Sequence, residues 1–547
     1  MKYLVKILFL IVWWAGWSCK DCALWNLKEL SPCDFSADFD ILKEAGCTVP
    51  CTVRFTPRLL GDQNLKYKWI IDGITIDSIV VTHVFTTPGD HNVTLSISGY
   101  GCDQDSSKVC NIGDPSPVAA FMPADTLVVA PSTITFTQKS TNASTFEWLL
   151  DGVSVQNGPQ FTYTFTCDDT LNITLRATGS GGTNAITHQV IVRPVMFDMV
   201  KKRYGSDSNR SENAFGVDEA ANGEFYLFVN DGKVNYLVKA NPQGAGNVIS
   251  SHNLSNQYSQ LSPTAYAKTT TGYLLLGNAL KPDLTTDFFI LKTNTGFGFF
   301  NEKAFSKSLA SDSEKAYGVA EILPAGNYLV AGEGTWSGAK GMYFSTVTQG
   351  LTSATHKQLF STDQSAVAKA IAPAPNGGFW AVGTSITNNQ TFFFRLNSDL
   401  TLNGDPIPIG LASFQVLKII VWDSQTAIIL GIESNAARVV KISGNSAAAT
   451  WSFQHLFRDG LRNSAGRLIF VGQDAASQMP AWFEVNIQSG IITRKELLGT
   501  PSIIDAGLAM SIAETKDCGF IIAGQGAKVG EAYQTILTKT DKNGQTK

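Results

Sequence analysis

The side chains that most often carry chemistry are sparse in this 547-residue chain, and they are scattered. Its six histidines, His83, His91, His188, His252, His356 and His455, form no HxH or HExxH pair, so no zinc-hydrolase arrangement is set up. No Gly-x-Ser-x-Gly elbow and no phosphate loop occurs. Asp38-Phe-Asp40 lacks the glycine and glutamate of a calcium loop. The neighbouring carboxylates Asp168 and Asp169 fall in an expected turn, where a solvated turn role is the plainer reading. A pair for glycoside hydrolysis needs only about 5–9 Å of separation in space, so distant residues could still build one. The pattern points away from an enzyme and implies no cofactor and no metal site.

Cysteine offers a second kind of chemistry. The N-terminus carries Lys2 and Lys6 and then an apolar run, Ile7 to Trp17. That run suits a secretory signal and is short for a membrane span. It ends in Gly16-Trp17-Ser18-Cys19-Lys20-Asp21. A small residue before cysteine resembles a bacterial lipobox, in which the thiol is acylated and becomes the mature N-terminus. The Ser-Cys-Lys-Asp run resembles the start of many Bacteroidota lipoproteins. Gly16 and the bulky Trp17 depart from the lipobox, and Cys19 has the alternative of being free or disulfide-bonded behind an ordinary cleavage site. Of the eight other cysteines, six lie between Cys22 and Cys110, as an oxidising compartment favours. The spacing of Cys22, Cys33, Cys47, Cys51, Cys102 and Cys110 never gives a CxxC…CxxC pattern, so bridges are expected rather than zinc. Cys167 and Cys518 fall in different domains with no near neighbour in sequence.

Aromatic residues on loops are the third resource, and they need a scaffold. After residue 212 a short apolar run closing on glycine recurs. It reads Tyr273-Leu-Leu-Leu-Gly277, Tyr328-Leu-Val-Ala-Gly332, Phe379-Trp-Ala-Val-Gly383, Ala427-Ile-Ile-Leu-Gly431, Leu468-Ile-Phe-Val-Gly472 and Phe520-Ile-Ile-Ala-Gly524. Phe225-Tyr-Leu-Phe-Val229 precedes them, with Asn230 in the place of the glycine. The steps are 47, 55, 51, 48, 41 and 52 residues, the period of a β-propeller blade. Seven blades are expected over 195–547. The last lacks its outer strand, and Phe197-Asp-Met-Val-Lys-Lys-Arg-Tyr-Gly205 looks like the missing piece. The recurring Ala-Tyr-Gly-Val and Asp-x-x-Gly phrases resemble a repeat of Bacteroidota surface proteins. The Asp boxes of sialidase-type propellers are absent. In Glu333-Gly-Thr-Trp336-Ser-Gly-Ala-Lys340, Trp336 is expected on a loop, as a ligand contact or packed on a neighbouring loop. Trp380, inside a strand, is expected in the core.

Two β-rich modules, 34–112 and 115–194, precede the repeat, after a signal peptide (1–18) and a tether (19–33). The first orders Thr52-Val-Arg-Phe-Thr56, Tyr67-Lys-Trp69-Ile-Ile-Asp72-Gly73 and a Phe85…Pro88-Gly89…Val-Thr-Leu run. The second orders Thr133-Ile-Thr-Phe-Thr137, Phe146-Glu-Trp148-Leu-Leu-Asp151-Gly152 and Leu171-Asn-Ile-Thr-Leu175. These pieces resemble the PKD domain, an immunoglobulin-like β-sandwich, which implies that Trp69 and Trp148 are core residues. The second copy departs from the family with Cys167-Asp168-Asp169 where Pro-Gly is usual. The resemblance also implies a Cys47–Cys102 bridge, from the Gly46-Cys47 and Gly101-Cys102 pairs, with Cys51–Cys110 following. His83 and His91 fall on strand positions, where packing at the solvent edge is expected.

The resulting expectation is an all-β chain, two immunoglobulin-like sandwiches followed by a seven-bladed β-propeller. Net charge is −4, charged residues are 16%, and no basic stripe occurs, so nucleic acid is not an expected partner. Resemblance and composition together imply a Sec-exported outer-membrane lipoprotein, facing the surface or the periplasm and held through its N-terminal lipid. A PKD stalk would present the propeller to a protein or glycan of the cell envelope. The alternatives are a polysaccharide-active enzyme or its accessory subunit, and a structural subunit of an outer-membrane assembly. No type IX sorting domain is expected after the repeat.

Overall fold

The computed structural model describes residues 35–59, 64–254, 257–305, 313–324, 326–336, 339–359, 366–385, 387 and 389–547. Cys19, Cys22, Cys33 and the Ser306–Ser313 connection, save Ser313 itself, lie outside them. Every regular element among the described residues is a β-strand. They gather into two compact units. The second comprises Pro123–Phe136, Thr162–Ile173 and His188–Lys547; the first holds the other described residues.

In the first unit, residues 39–112 make two antiparallel sheets around one apolar core. One contains Phe39–Leu42, Cys51–Pro57 and Val81–Phe85; the other contains Ile74–Asp77, Lys66–Ile71, Gly89–Gly99 and Cys102–Ile112. Inward residues alternate along Cys51–Pro57 and Gly89–Gly99, as half-buried strands require. Trp69 is fully buried against Phe39 and Phe55, and its indole N–H donates to the Ser78 carbonyl at 3.0 Å. Asp72 and Gly73 both take positive φ, the geometry of a tight hairpin turn. His91 is not at the solvent edge. It is buried between the Asp72 carboxylate and the Thr87 carbonyl, which it meets at 2.5 and 2.8 Å. The strands of residues 121–193 form a three-stranded and a five-stranded sheet, and Trp148 is buried beside Phe121 and Phe161.

The disulfides differ from the expected pairing. Cys47 bonds Cys51, Cys110 is a buried free thiol, and Cys102 is bonded elsewhere. Strand geometry explains why. Thr48 bridges Gly113, which places Cys47 at the far end of the strand that Cys102 begins. An 11-residue strand at about 3.3 Å per residue separates them far beyond the roughly 7 Å that a disulfide spans. Cys110 faces the core beside His91. Within the second unit Cys167 and Cys518, expected to be solitary, bond to each other across 351 residues. Asp168 is held there too, 3.5 Å from the Lys542 ammonium, so it is not a solvated turn residue.

Residues 197–540 fold into seven four-stranded antiparallel sheets. Their inner strands are Asn213–Glu219, Gln260–Thr269, Glu314–Ile322, Ala366–Pro373, Gln415–Val421, Leu456–Arg462 and Ala506–Glu514. Each sheet is apolar on both faces, and a separate core fills the space between each sheet and the next. A seventh core joins the last sheet to the first. The arrangement is a propeller-like ring. Three carboxylates at the ends of inner strands stitch it. Glu321 accepts from Thr270, Glu514 from Ser464, and Glu219 from the Lys516 backbone N–H at 2.6 Å. The last of these joins the seventh sheet to the first.

The outer strand of the seventh sheet is Phe197–Lys202, paired antiparallel with Gln534–Thr540. Phe197 packs on Phe225 of the first sheet, and Met199 lies in the core between the sixth and seventh. Truncating a buried phenylalanine costs about 3–5 kcal/mol. Phe197→Ala should therefore lower the urea midpoint of the ring's unfolding by a matching amount. An unchanged midpoint would show that this strand does not close the ring.

Candidate functional site

The glycine that ends each apolar run has one structural cause. In sheets two to seven it pairs with the inner-strand residue just before a β-bulge: Gly277 with Pro263, Gly332 with Ala316, Gly383 with Ala368, Gly431 with Val416, Gly472 with Phe457, Gly524 with Ala509. The bulge presses the inner strand against it. A Cβ on Gly332 would overlap the Lys315 carbonyl oxygen, and one on Gly472 the Leu456 carbonyl oxygen. In the first sheet the same position is Val229, opposite Ala214, and not Asn230, which pairs one step earlier with Asn213.

A bulge leaves one residue out of the ladder and re-aims its side chain. The seven unpaired residues are Phe215, Thr264, Tyr317, Lys369, Leu417, Arg458 and Met510. All seven line one cavity of about 400 Å³, to which every sheet contributes. That volume is within the range of small-molecule sites, about 300–1,000 Å³. Tyr266 and the apolar side chains of Val319, Ile371, Val416 and Ile419 complete much of the wall.

The polar groups of this wall divide into two sets. One set is structural. Thr264 donates to the Ala316 carbonyl at 2.9 Å, and Tyr317 donates to Glu333 at 3.0 Å. Asp459 accepts from the Lys418 ammonium at 2.5 Å, the Gly460 N–H at 2.8 Å and the Ile512 N–H at 3.0 Å, so it ties the fifth, sixth and seventh sheets together. The other set is Lys369 and Arg458. The Lys369 ammonium sits 3.9 Å from the centre of the Tyr317 ring, a cation–π distance. It has no hydrogen-bond partner among the described residues. Burial pushes its pKa down, against the raising effect of Glu333. Arg458 has no ion-pair or hydrogen-bond partner among the described residues, and its Nε is wholly buried. Burial lowers its pKa as well. Lining cations are Lys369, Lys418 and Arg458; Asp459 is the one lining carboxylate.

The residues singled out by sequence are elsewhere. Trp336 is not on a loop: it ends the strand Asn327–Trp336 and pairs with Ala339 at the tip of a hairpin. The ladder continues through Glu333, Gly334 and Thr335, because glycine interrupts a strand without ending it. Trp380 is buried between the fourth and fifth sheets, as expected. The cavity residues carry a sequence signal that is visible once the bulge is known. Each directly follows the residue that faces the glycine, which is the second place of Ala316-Tyr-Gly-Val319.

No protein-family model matches the chain, and no curated protein matches it. Solved structures resemble it at low identity. A quinonprotein alcohol dehydrogenase-like protein from Bacteroides thetaiotaomicron aligns over 70% of this chain and 96% of its own, at 12% identity and TM-score 0.34. The NanB sialidase from Streptococcus pneumoniae aligns over 93% of both chains, at 8% identity and TM-score 0.38. A puromycin-hydrolysing peptidase from Mycobacterium tuberculosis aligns over 63% of this chain and 55% of its own, at 9% identity and TM-score 0.41. At these scores the likenesses carry no argument about activity, and the fold stands on the chain's own sheets and cores.

Asp459 gives this wall its test. Removing it leaves the Ile512 N–H without its acceptor, a loss of about 1–3 kcal/mol. Asp459→Ala should lower the urea midpoint accordingly. An unchanged midpoint would show that its carboxylate is not structural.

Proposed function

We propose that this chain is a non-enzymatic cell-envelope lipoprotein of Bacteroidota type. Two PKD-like, immunoglobulin-like sandwiches carry a seven-bladed β-propeller, which presents a rigid surface to a protein or glycan partner. The observation that carries the reading is the make-up of the cavity to which all seven sheets contribute. Its single lining carboxylate is bound by an ammonium and two backbone N–H groups, so the lining lacks the pair of carboxylates used in glycoside hydrolysis. Recognition is what such a wall supports: apolar and aromatic surface with a few polar groups. The disulfides Cys47–Cys51 and Cys167–Cys518 fit an exported protein. The buried Trp69 and Trp148 fit the sandwich cores that the PKD resemblance implies.

Anchoring is assigned to Cys19. Intact-mass measurement of the mature protein should show loss of residues 1–18 and added acyl mass. An unmodified Cys19, or an N-terminus elsewhere, would reject the anchor.

The partner is assigned to the rim that carries the Trp336 hairpin. Losing a central aromatic anchor costs about 2 kcal/mol or more in binding. Trp336→Ala should then weaken capture from envelope extracts or on a glycan array, with the melting temperature unchanged. A variant that unfolds, or one that binds normally, removes Trp336 from the interface.

A further inference from the structure

We propose that the central cavity of the ring is a binding site for a small organic anion, a carboxylate carried on an apolar or aromatic body, held by Lys369 and Arg458. The inference stands apart from the envelope partner, because it concerns the axis of the ring and not its rim.

Two features of the wall carry it. First, the cations are placed by the bulges. Lys369 and Arg458 occupy the same structural position as Phe215, Tyr317, Leu417 and Met510. The fold accepts an apolar residue at that position in three of the seven sheets, Phe215, Leu417 and Met510, so the ring does not need a charge there. Second, these cations have no hydrogen-bond partner among the described residues, while the other charged groups near them are paired. Lys418 has Asp459, while Tyr317 and Lys315 both have Glu333. Arg458 has a buried Nε and no partner among the described residues; Lys369 lies on the face of Tyr317 and has no hydrogen-bond partner among the described residues. A half-buried guanidinium whose Nε is shut off from water and has no acceptor costs stability that nothing in the wall returns. A bound carboxylate supplies the missing acceptor, and arginine meets it with two parallel N–H bonds.

The rest of the wall defines the body of the ligand. Phe215, Tyr266, Leu417 and Met510 offer aromatic and apolar surface. An inorganic anion would leave that surface uncovered. A carboxylate with a ring or acyl chain covers it and satisfies the cations together.

The test uses the full chain and three probes at millimolar concentration: sodium benzoate, its neutral counterpart benzyl alcohol, and sodium sulfate. Binding is followed by calorimetric titration and by the melting temperature. Benzoate should bind saturably and raise the melting temperature, and neither other probe should match it. Lys369→Gln and Arg458→Gln should each weaken benzoate at least about tenfold, the loss of one charge-assisted contact of roughly 1.4 kcal/mol. Without ligand, both variants should melt no lower than the parent protein, since each removes a half-buried cation that has no hydrogen-bond partner among the described residues. Three results overturn the proposal: no saturable benzoate binding to the parent protein, benzyl alcohol or sulfate binding as well as benzoate, or benzoate binding that survives both substitutions. If one variant does not fold, its cation is structural and the proposal loses that residue; the other variant and the parent protein still decide whether the site exists.

Discussion

A four-stranded sheet that is apolar on both faces has to be covered on both faces, and this constraint organises the larger unit. Each sheet can meet the requirement only by lying on the next, and a row of sheets always leaves its two ends bare. The chain resolves this by bending the row into a ring, with the seventh core formed between the last sheet and the first. The junction is built from the two ends of the repeat. Phe197–Lys202 supplies the strand that the seventh sheet lacks, and Lys516 donates to Glu219 across the same seam. A buried ion pair, Lys539–Asp517 at 2.8 Å, lies in the seventh sheet beside Cys518, and Asp517 also accepts from the Val195 N–H at 2.9 Å. The disulfide to Cys167 is therefore anchored on the sheet where closure takes place.

Closing a ring crowds its inner strands, and the bulges follow from the crowding. Gly216 and Gly318 come directly after bulged residues. A Cβ on Gly216 would meet the Tyr266 ring of the next sheet, and one on Gly318 would meet the Ala370 and Ile371 backbone of the next. The glycine on the second strand of sheets two to seven makes room for the bulge from the other side. One steric arrangement, repeated around the ring, thus fixes the glycine spacing in the sequence and turns one residue per sheet toward the axis. Thr264 and Tyr317 use that position for structural hydrogen bonds; at the other five, a lysine and an arginine stand among phenylalanine, leucine and methionine.

Much of the scaffold was legible before any coordinates. The glycine-closed runs mark the second strand of six sheets, Phe225–Val229 marks that of the first, and Phe197-Asp-Met-Val-Lys-Lys is recognisable as a strand without a partner of its own. The Trp69 and Trp148 positions could be placed in cores, because alternation and a tight Asp-Gly turn are local properties. The cavity was not legible in the same way. A bulge shifts the alternation of a strand by one residue, and so reverses which side chains face inward beyond it. Arg458 is hidden for this reason: it is the bulged residue of its strand. Trp336 reads as a loop residue because glycines stand near it in sequence, although the ladder runs through Gly334 as far as Trp336.

The sequence by itself determined the elements: where strands start and stop, which faces are apolar, and how often the unit repeats. These are set by backbone preference and by the period of the hydrophobic pattern, both of which act within a few residues. Only the tertiary structure decided which distant groups meet. Cys167 and Cys518 find each other across 351 residues, Cys47 bonds Cys51 in place of Cys102, and Lys369 and Arg458 reach one cavity from the fourth and sixth sheets. The physical reason is that these meetings depend on ring closure and strand register, which add up small rotations over hundreds of residues and leave no trace in any local pattern.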